Sequence, residues 1–339
     1  MKVFVAVDME GTTGLERLEE IFRGLPGYDK FRQIMAGDAN AVVQGAIKGG
    51  ATEIVVSDSH GYMCNMHPDD IIPGVQLRRG QLQRTWCQAK GLEGDCDAVI
   101  MIGFHAKAGT ENGILSHTWI TGFRDVRING DSVPEPSLNT LLAGDLGVPV
   151  IMLSGDDLVA EQASPILGDI EYVQLKKSVG FFEGDHLPID RTRRILREAA
   201  ERAVASAKGR QPVVLKGPVS IEVDLSADAV GDPALAQRPH DNISYIDGGY
   251  SGPNALSDFE HVMRNHPDLT SPRDGTVAIE TSDFASAYRK LHQVLGDIYE
   301  RDIENLIDLV ADVDAYERPG LENVIGDDYP LNEISSRRS

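Results

Sequence analysis

Lys2-Val3-Phe4-Val5-Ala6-Val7-Asp8-Met9-Glu10-Gly11 is the stretch whose reading decides the fold. Val3 to Val7 is a near-continuous apolar run, as expected of a strand buried on both faces of a parallel sheet. Reading outward, Ile34, Met35, Val42, Val43, Ala46 and Ile47 recur at helical spacing from Phe31 onward, and Gly49-Gly50 supplies a stop signal. Ile54-Val55-Val56 is then a second strand, so residues 3–58 form a βαβ unit with an expected right-handed crossover. Asp97 to Ile102 is a third buried strand and Val148 to Leu153 a fourth, with a helix over 137–146 before it.

Beyond residue 155 the pattern predicts helices at 157–166 and 190–207 and strands near 171–175 and 219–225. Residues 226–275 are rich in Gly, Pro, Asp and Asn and read as irregular. A helix resumes at Phe284, with Tyr288, Leu291, Leu295 and Ile298 on one face, and is expected to run to about 315, before Pro319. The expected fold class is α/β: a parallel-sheet N-terminal core with helices on both faces, plus a smaller α+β C-terminal part. The expected division is a metal-binding core at 1–210, a C-terminal part at 211–320 with an irregular insertion near 245–272, and a tail at 321–339.

In this chain of 339 residues, 53 acidic side chains against 32 basic ones give a formal charge of −21, which repels phosphate backbones and anionic membrane surfaces. Neither nucleic acid nor a membrane is expected as a partner. The three cysteines (Cys64, Cys87, Cys96) are odd in number and form no CxxC pair, which argues against a disulfide framework or a cysteine-rich zinc site. MKVFVAVD reads as a core strand rather than a signal peptide, and no apolar run approaches the roughly 20 residues needed to span a bilayer. A reducing cytoplasm fits best.

Open α/β sheets place ligands beyond the carboxyl ends of their strands. Asp8 and Glu10 follow the first strand, and their spacing of two points both carboxylates to one face if the chain stays extended. Gly11 then allows a sharp turn. The second strand ends Ser57-Asp58-Ser59-His60 and the third Gly103-Phe104-His105. Two carboxylates and two imidazoles at three successive strand ends suit Zn²⁺ or a similar borderline ion. The next loop adds Ser116-His117, and Glu135 lies before the following helix. A lone strand-end histidine is ordinarily a surface or hydrogen-bonded residue. The joint pattern is stronger, because neighbouring carboxylates repel unless protonated or held by a cation.

The blocks Val7-Asp8-Met9-Glu10-Gly11, Asp58-Ser59-His60, Gly103-Phe104-His105-Ala106-Lys107-Ala108, Leu115-Ser116-His117, and Ile128-Asn129 through Glu135 with Leu138-Asn139 resemble the D-aminopeptidase family of zinc peptidases, the DppA-like enzymes of peptidase family M55. Ser154-Gly155-Asp156-Asp157 is similar to a further block, and Ser220-Ile221-Glu222 and Gly275-Thr276 match more weakly. The resemblance implies a zinc-dependent aminopeptidase or amidohydrolase with two zinc ions per chain, held by Asp8, Glu10, His60, His105 and Glu135, with Asp8 favoured as the bridge. It also implies a catalytic role for His117 and a ring-stacked homo-oligomer, typically a decamer. Asp58, adjacent to His60, is expected to orient a ligand rather than to be one. An imidazole exchanges protons near neutral pH, so acid/base work is the favoured role for His117, with direct nucleophilic attack the alternative. A small peptide or amide is the expected substrate, a D-amino-acid peptide among the candidates.

Ala6 stands where the family signature usually has a serine, which removes a hydroxyl near the first carboxylate. Two other readings compete. Asp8-Met9-Glu10-Gly11-Thr12-Thr13 with Gly155-Asp156-Asp157 resembles a haloacid-dehalogenase-type Mg²⁺ phosphatase, but no lysine occurs between Lys107 and Lys176 to balance phosphate charge. A non-catalytic metal-binding scaffold would use the same ligands, with no need of His117.

Overall fold

Strand β1 (Lys2–Val7) lies between β2 (Glu53–Asp58) and β4 (Ala98–Phe104), parallel to both. This is a computed structural model, and it describes residues 1–225, 255–273 and 275–295 apart from 24, 62, 81–86, 90, 93–94 and 121–122. Outside β2 lies β3 (Gln76–Arg78); outside β4 lie β7 (Val150–Asp156), β8 (Glu171–Gly180) and β9 (Glu183–His186). The sheet order is β3-β2-β1-β4-β7-β8-β9, and every pairing is parallel except the β8–β9 hairpin.

Because successive strand side chains point to opposite faces, β1 divides its residues between two apolar cores. Val3, Val5 and Val7 pack with α1 (Tyr28–Lys48) and α4 (Ile189–Ala205), which contributes Leu196, Ala199, Ala200, Ala203 and Val204. Phe4 and Ala6 join a core that includes Leu138, Leu141 and Leu142 of α2 (Glu135–Asp145) and Val159, Ala163 and Leu167 of α3 (Asp157–Leu167). Each fully buried Val or Leu contributes about 1.5–3 kcal/mol, so a strand apolar on both faces is held in place by two helical layers. Helices do cover both faces, as the sequence predicts.

A second, antiparallel sheet has the order β11-β10-β5-β6. It joins β10 (Val219–Asp224) and β11 (Thr276–Thr281) to β5 (Asp125–Ile128) and β6 (Asp131–Ser132), which come from the middle of the chain. Residues 284–295 are helical and pack Phe284, Tyr288, Leu291 and Leu295 into the same core as α2.

Three features depart from the sequence reading. The stretch 226–275, expected to be irregular, contains a helix, α5 (Ala255–Asn265). The strand expected near 171–175 extends to Gly180 and turns back as β9, whose sequence Glu-Gly-Asp-His carries no apolar pattern. Strands β5 and β6 are four and two residues long, too short for an alternation to register. The first part of the 245–272 insertion, the helical continuation to about 315 and the 321–339 tail lie outside the described residues. No helix among the described residues is long and apolar enough to cross a membrane.

Candidate metal centre

The ends of β1 and β4 approach each other through glycine. Asp8 N donates to Ile102 O (2.9 Å) and Gly11 N to Gly103 O (2.7 Å), so the pairing continues past the last strand residues. A Cβ on Gly11 would sit 1.8 Å from Phe104 O, and one on Gly103, at φ 74°, 2.1 Å from Asp8 O. Only glycine allows this approach. It carries Asp8 and Glu10 against His105, while Ser59 N donating to Val7 O (2.8 Å) brings the β2 end, and with it His60, to the same place.

There the side chains converge. His60 Nδ1 lies 3.0 Å from Glu10 Oε2 and 3.7 Å from Asp8 Oδ1. His105 Nε2 lies 3.5 Å from both Asp8 Oδ2 and Glu135 Oε1, and His117 Nε2 lies 3.7 Å from Glu10 Oε1. Glu135 is the first residue of α2, where the helix dipole favours a carboxylate. The potential ligand atoms form three overlapping groups, Asp8/Glu10/His60, Asp8/His105/Glu135 and Glu10/His105/His117, each within 4.8 Å. All the residues expected from the sequence to hold metal therefore meet, with His117 beside them.

Each imidazole has one ring nitrogen against a backbone carbonyl: His60 Nε2 on Ile21 O (3.1 Å), His105 Nδ1 on Ala106 O (2.9 Å) and His117 Nδ1 on Leu115 O (2.8 Å). A carbonyl only accepts, so each of those nitrogens carries the proton and donates. The opposite nitrogen then faces the carboxylates, and once it has given up its proton it has the orientation a metal-binding histidine requires.

Two further observations fit a cation at this place. Asp8 Oδ2 and His105 Nε2 are buried polar atoms with no hydrogen-bond partner among the described residues, and such atoms ordinarily have one. Burial pushes the His105 imidazole down, yet Glu135, Asp8 and Glu10 overcome this and raise it to about 10; His60 is raised for the same reason by Glu10 and Asp8. Without metal, the site draws protons onto its own histidines to neutralise three buried carboxylates. Glu135, pushed up by burial and by Asp8 against the pull of His105, sits near 7, and His117 is pushed down to about 4 by burial and by His105.

Asp58 stands one layer out. Its carboxylate accepts from Asn65 N (2.6 Å), Met66 N (2.8 Å), Asn65 Nδ2 (2.9 Å) and His60 N (3.4 Å), and Asn65 Nδ2 also donates to His60 O (2.8 Å). It shapes the turn that carries His60. His117 is bracketed by Leu115 and Trp119, both left-handed at φ 48° and 57°, a strained conformation for residues other than glycine. Leu115 N donates to Phe181 O (3.0 Å) and Trp119 N to Glu135 Oε1 (2.6 Å), which hold both ends of this turn.

The phosphatase alternative loses its second motif here. Asp156 Oδ1 accepts from Val159 N (2.7 Å) as the N-cap of α3, and Oδ2 accepts from Ala106 N (3.0 Å), so both oxygens are engaged by backbone.

The family model for D-aminopeptidases, peptidase family M55, matches residues 1–241. The chain belongs to the D-aminopeptidase family. Within that family, a D-aminopeptidase of Bacillus subtilis (strain 168) is 34% identical over 179 residues, which is 53% of this chain and 65% of the relative. The match thus spans a little less than two thirds of the relative's length. The solved structure of the Zn-dependent D-aminopeptidase DppA from Bacillus subtilis, described as a self-compartmentalizing protease, aligns with a TM-score of 0.75 at 24% identity, covering 87% of this chain and 97% of that one. That likeness is one of fold.

Sequence reasoning missed two residues at this D-aminopeptidase-family site. Trp119 supplies a backbone donor to Glu135, and Gln88 Nε2 donates to its other oxygen. Gln88 lies in a turn with no pattern that could have marked it; Asn139, beside it, appears in a family block without an assigned role.

Proposed function

We propose that this chain is a zinc-dependent aminopeptidase or amidohydrolase that cleaves an amide or peptide bond of a small substrate, D-amino-acid peptides included. The observation that carries this reading is the set of three imidazoles, each with one nitrogen tied to a backbone carbonyl and the other aimed at Asp8, Glu10 or Glu135. Asp8, Glu10, His60, His105 and Glu135, whose ligand atoms fall into overlapping groups that share Asp8, Glu10 and His105, would hold two zinc ions. Zinc supplies Lewis acidity, polarising an amide carbonyl and making water acidic near neutral pH.

His117 handles the proton. Its Nδ1–H is held by Leu115 O, so exchange takes place at Nε2. Its side chain is 18% exposed while that of His105 is 1% exposed, so a substrate can reach the first and not the second. Burial pushes the His117 imidazole down and favours its neutral form, which can accept a proton and pass it to the departing amine. Asp58 keeps His60 in place through the 58–66 turn. A free α-amino group on the substrate would be attracted by a metal or by an acidic side chain. A homo-oligomer, a decamer by family likeness, in the cytoplasm completes the reading.

Metal analysis of protein purified without chelator tests this, together with a screen of D- and L-aminoacyl amides, short peptides and phosphate esters. Close to two equivalents of zinc and chelator-sensitive amide hydrolysis are expected. Absence of transition metal, or turnover of phosphate esters alone, would overturn it.

A further inference from the structure

Glu135 is the origin of a hydrogen-bonded chain that runs out of the metal centre. Its Oε2 accepts from Gln88 Nε2, and Gln88 Oε1 accepts from Asn139 Nδ2 (2.7 Å) and from Trp119 Nε1 (3.3 Å). Asn139 Oδ1 in turn accepts from Tyr288 OH (3.3 Å), on the helix at 284–295. Gln88, Asn139 and Tyr288 are all buried.

The direction of this chain is fully determined. Indole Nε1–H can only donate, so the Gln88 atom facing Trp119 is the oxygen, and the amide nitrogen must face Glu135. With Asn139 Nδ2 donating to that same oxygen, the Asn139 oxygen is left for Tyr288. Every donor therefore points toward the carboxylate, and bonds aligned in this way polarise one another in a low-dielectric interior. Around the chain, the Trp119 ring packs edge-on to Tyr288 (5.7 Å between centroids) and beside His292 (5.0 Å). Ser59 Oγ donates to Gln88 O (3.1 Å), which ties the Gln88 turn to the residue before His60.

We propose that Gln88, Asn139 and Tyr288 form a positioning relay that engages Glu135 Oε2 so that Oε1 alone is presented to metal, making the helix at 284–295 part of the metal centre. The proposal rests on the assignment of Glu135 as a ligand. Oε1 is the oxygen 3.5 Å from His105 Nε2, and among the described residues its hydrogen-bond donor is Trp119 N. Without the relay the carboxylate can rotate about its terminal torsion and exchange its two oxygens, and the geometry offered to the cation is no longer unique. Tyr288 lies beyond residue 241, where the family match stops.

Zinc affinity, measured by chelator competition, and the visible spectrum of the Co²⁺-substituted protein test this in the full chain. Gln88→Leu is expected to weaken zinc binding by about 10–100-fold and to shift the Co²⁺ bands. Tyr288→Phe keeps the ring packing and removes only the hydroxyl, so it is expected to weaken zinc binding by about 2–10-fold with the melting temperature of the zinc-free protein unchanged; it reports on the relay even if Gln88→Leu fails to fold. Glu135→Ala separates the two levels of inference. If Glu135→Ala loses zinc while Tyr288→Phe and a folded Gln88→Leu bind it as the parent does, the relay is wrong and the ligand assignment stands. If Glu135→Ala itself binds zinc with parental affinity and stoichiometry, the ligand assignment fails and the relay with it.

Discussion

The rings of His105 and His117 stack face to face, with centroids 4.0 Å apart and planes 7° from parallel. Both hold their Nδ1–H on backbone carbonyls, so both turn Nε2 toward the carboxylates, His105 to Asp8 and Glu135 and His117 to Glu10. Two stacked imidazoles this close resist carrying charge together. His105 lies deeper among carboxylates, which raise it, while burial and His105 push His117 down.

From this pairing follows the expected behaviour of His117→Ala. Removing a proton-transfer group costs about 10²–10⁴-fold in turnover, whereas the five assigned ligands are untouched. Zinc content by mass spectrometry should equal that of the parent while kcat collapses. Loss of a zinc equivalent in this variant would reassign His117 from proton transfer to ligation, through the group it forms with Glu10 and His105.

Zinc should also govern stability. A ligand that binds only the folded state stabilises it by about 2.7 kcal/mol at one hundred times its dissociation constant. Three buried carboxylates neutralised by protons on His60 and His105 in place of a cation make the metal-free protein the weaker form. Calorimetry should therefore show a lower melting temperature after dialysis against chelator, restored on adding zinc and not magnesium. Equal melting temperatures with and without zinc would contradict a built metal site.

Gly11→Ala tests the junction of strand ends that assembles the site. The added methyl would meet a backbone oxygen of Phe104 at 1.8 Å, and backbone cannot rotate away as a side chain can. Overpacking of this kind costs about 1–3 kcal/mol or more, and the displacement falls on the segment between Glu10 and Thr12. Chemical denaturation should show a less stable protein, and metal analysis should show less zinc per chain than the parent. Parental stability and zinc content would mean that the β1 and β4 ends can part without harm.

The sequence shows why the core was legible and the rest was not. Val3–Val7, Ile54–Val56, Ala98–Ile102 and Val150–Leu153 are apolar on both sides because both faces of the sheet are covered, and that signal is local. Asp8, Glu10, His60 and His105 can be singled out from strand-end position, whereas Glu135 and the role of His117 come mainly from the family resemblance. Gln88 and Trp119 act through single hydrogen bonds made across the fold, to which no spacing rule corresponds. Strands β5 and β6 escaped because they are short and because β5 pairs with β10, nearly a hundred residues away.

The second sheet carries its own pH dependence at Asp224. Burial pushes this carboxyl up, but hydrogen bonds from Arg127, Thr276 and Arg273 outweigh it and hold the group below the usual carboxylate range. Arg127 Nη1 and Nη2 reach Oδ2 and Oδ1 at 2.7 and 2.8 Å, and Thr276 Oγ1 reaches Oδ1 at 2.7 Å. A carboxyl whose folded value lies below its unfolded value of about 3.9 stabilises the protein fully above that pH and loses the contribution as pH falls through the folded value. In Asp224→Asn the charge is absent at every pH and Arg127 keeps only Asp125 and Glu222. The melting temperature of the parent should exceed that of the variant at pH 7, and the gap should narrow as both are acidified below about pH 4. A gap that stays constant across this range would show that Asp224 contributes by shape and hydrogen bonding, without its charge.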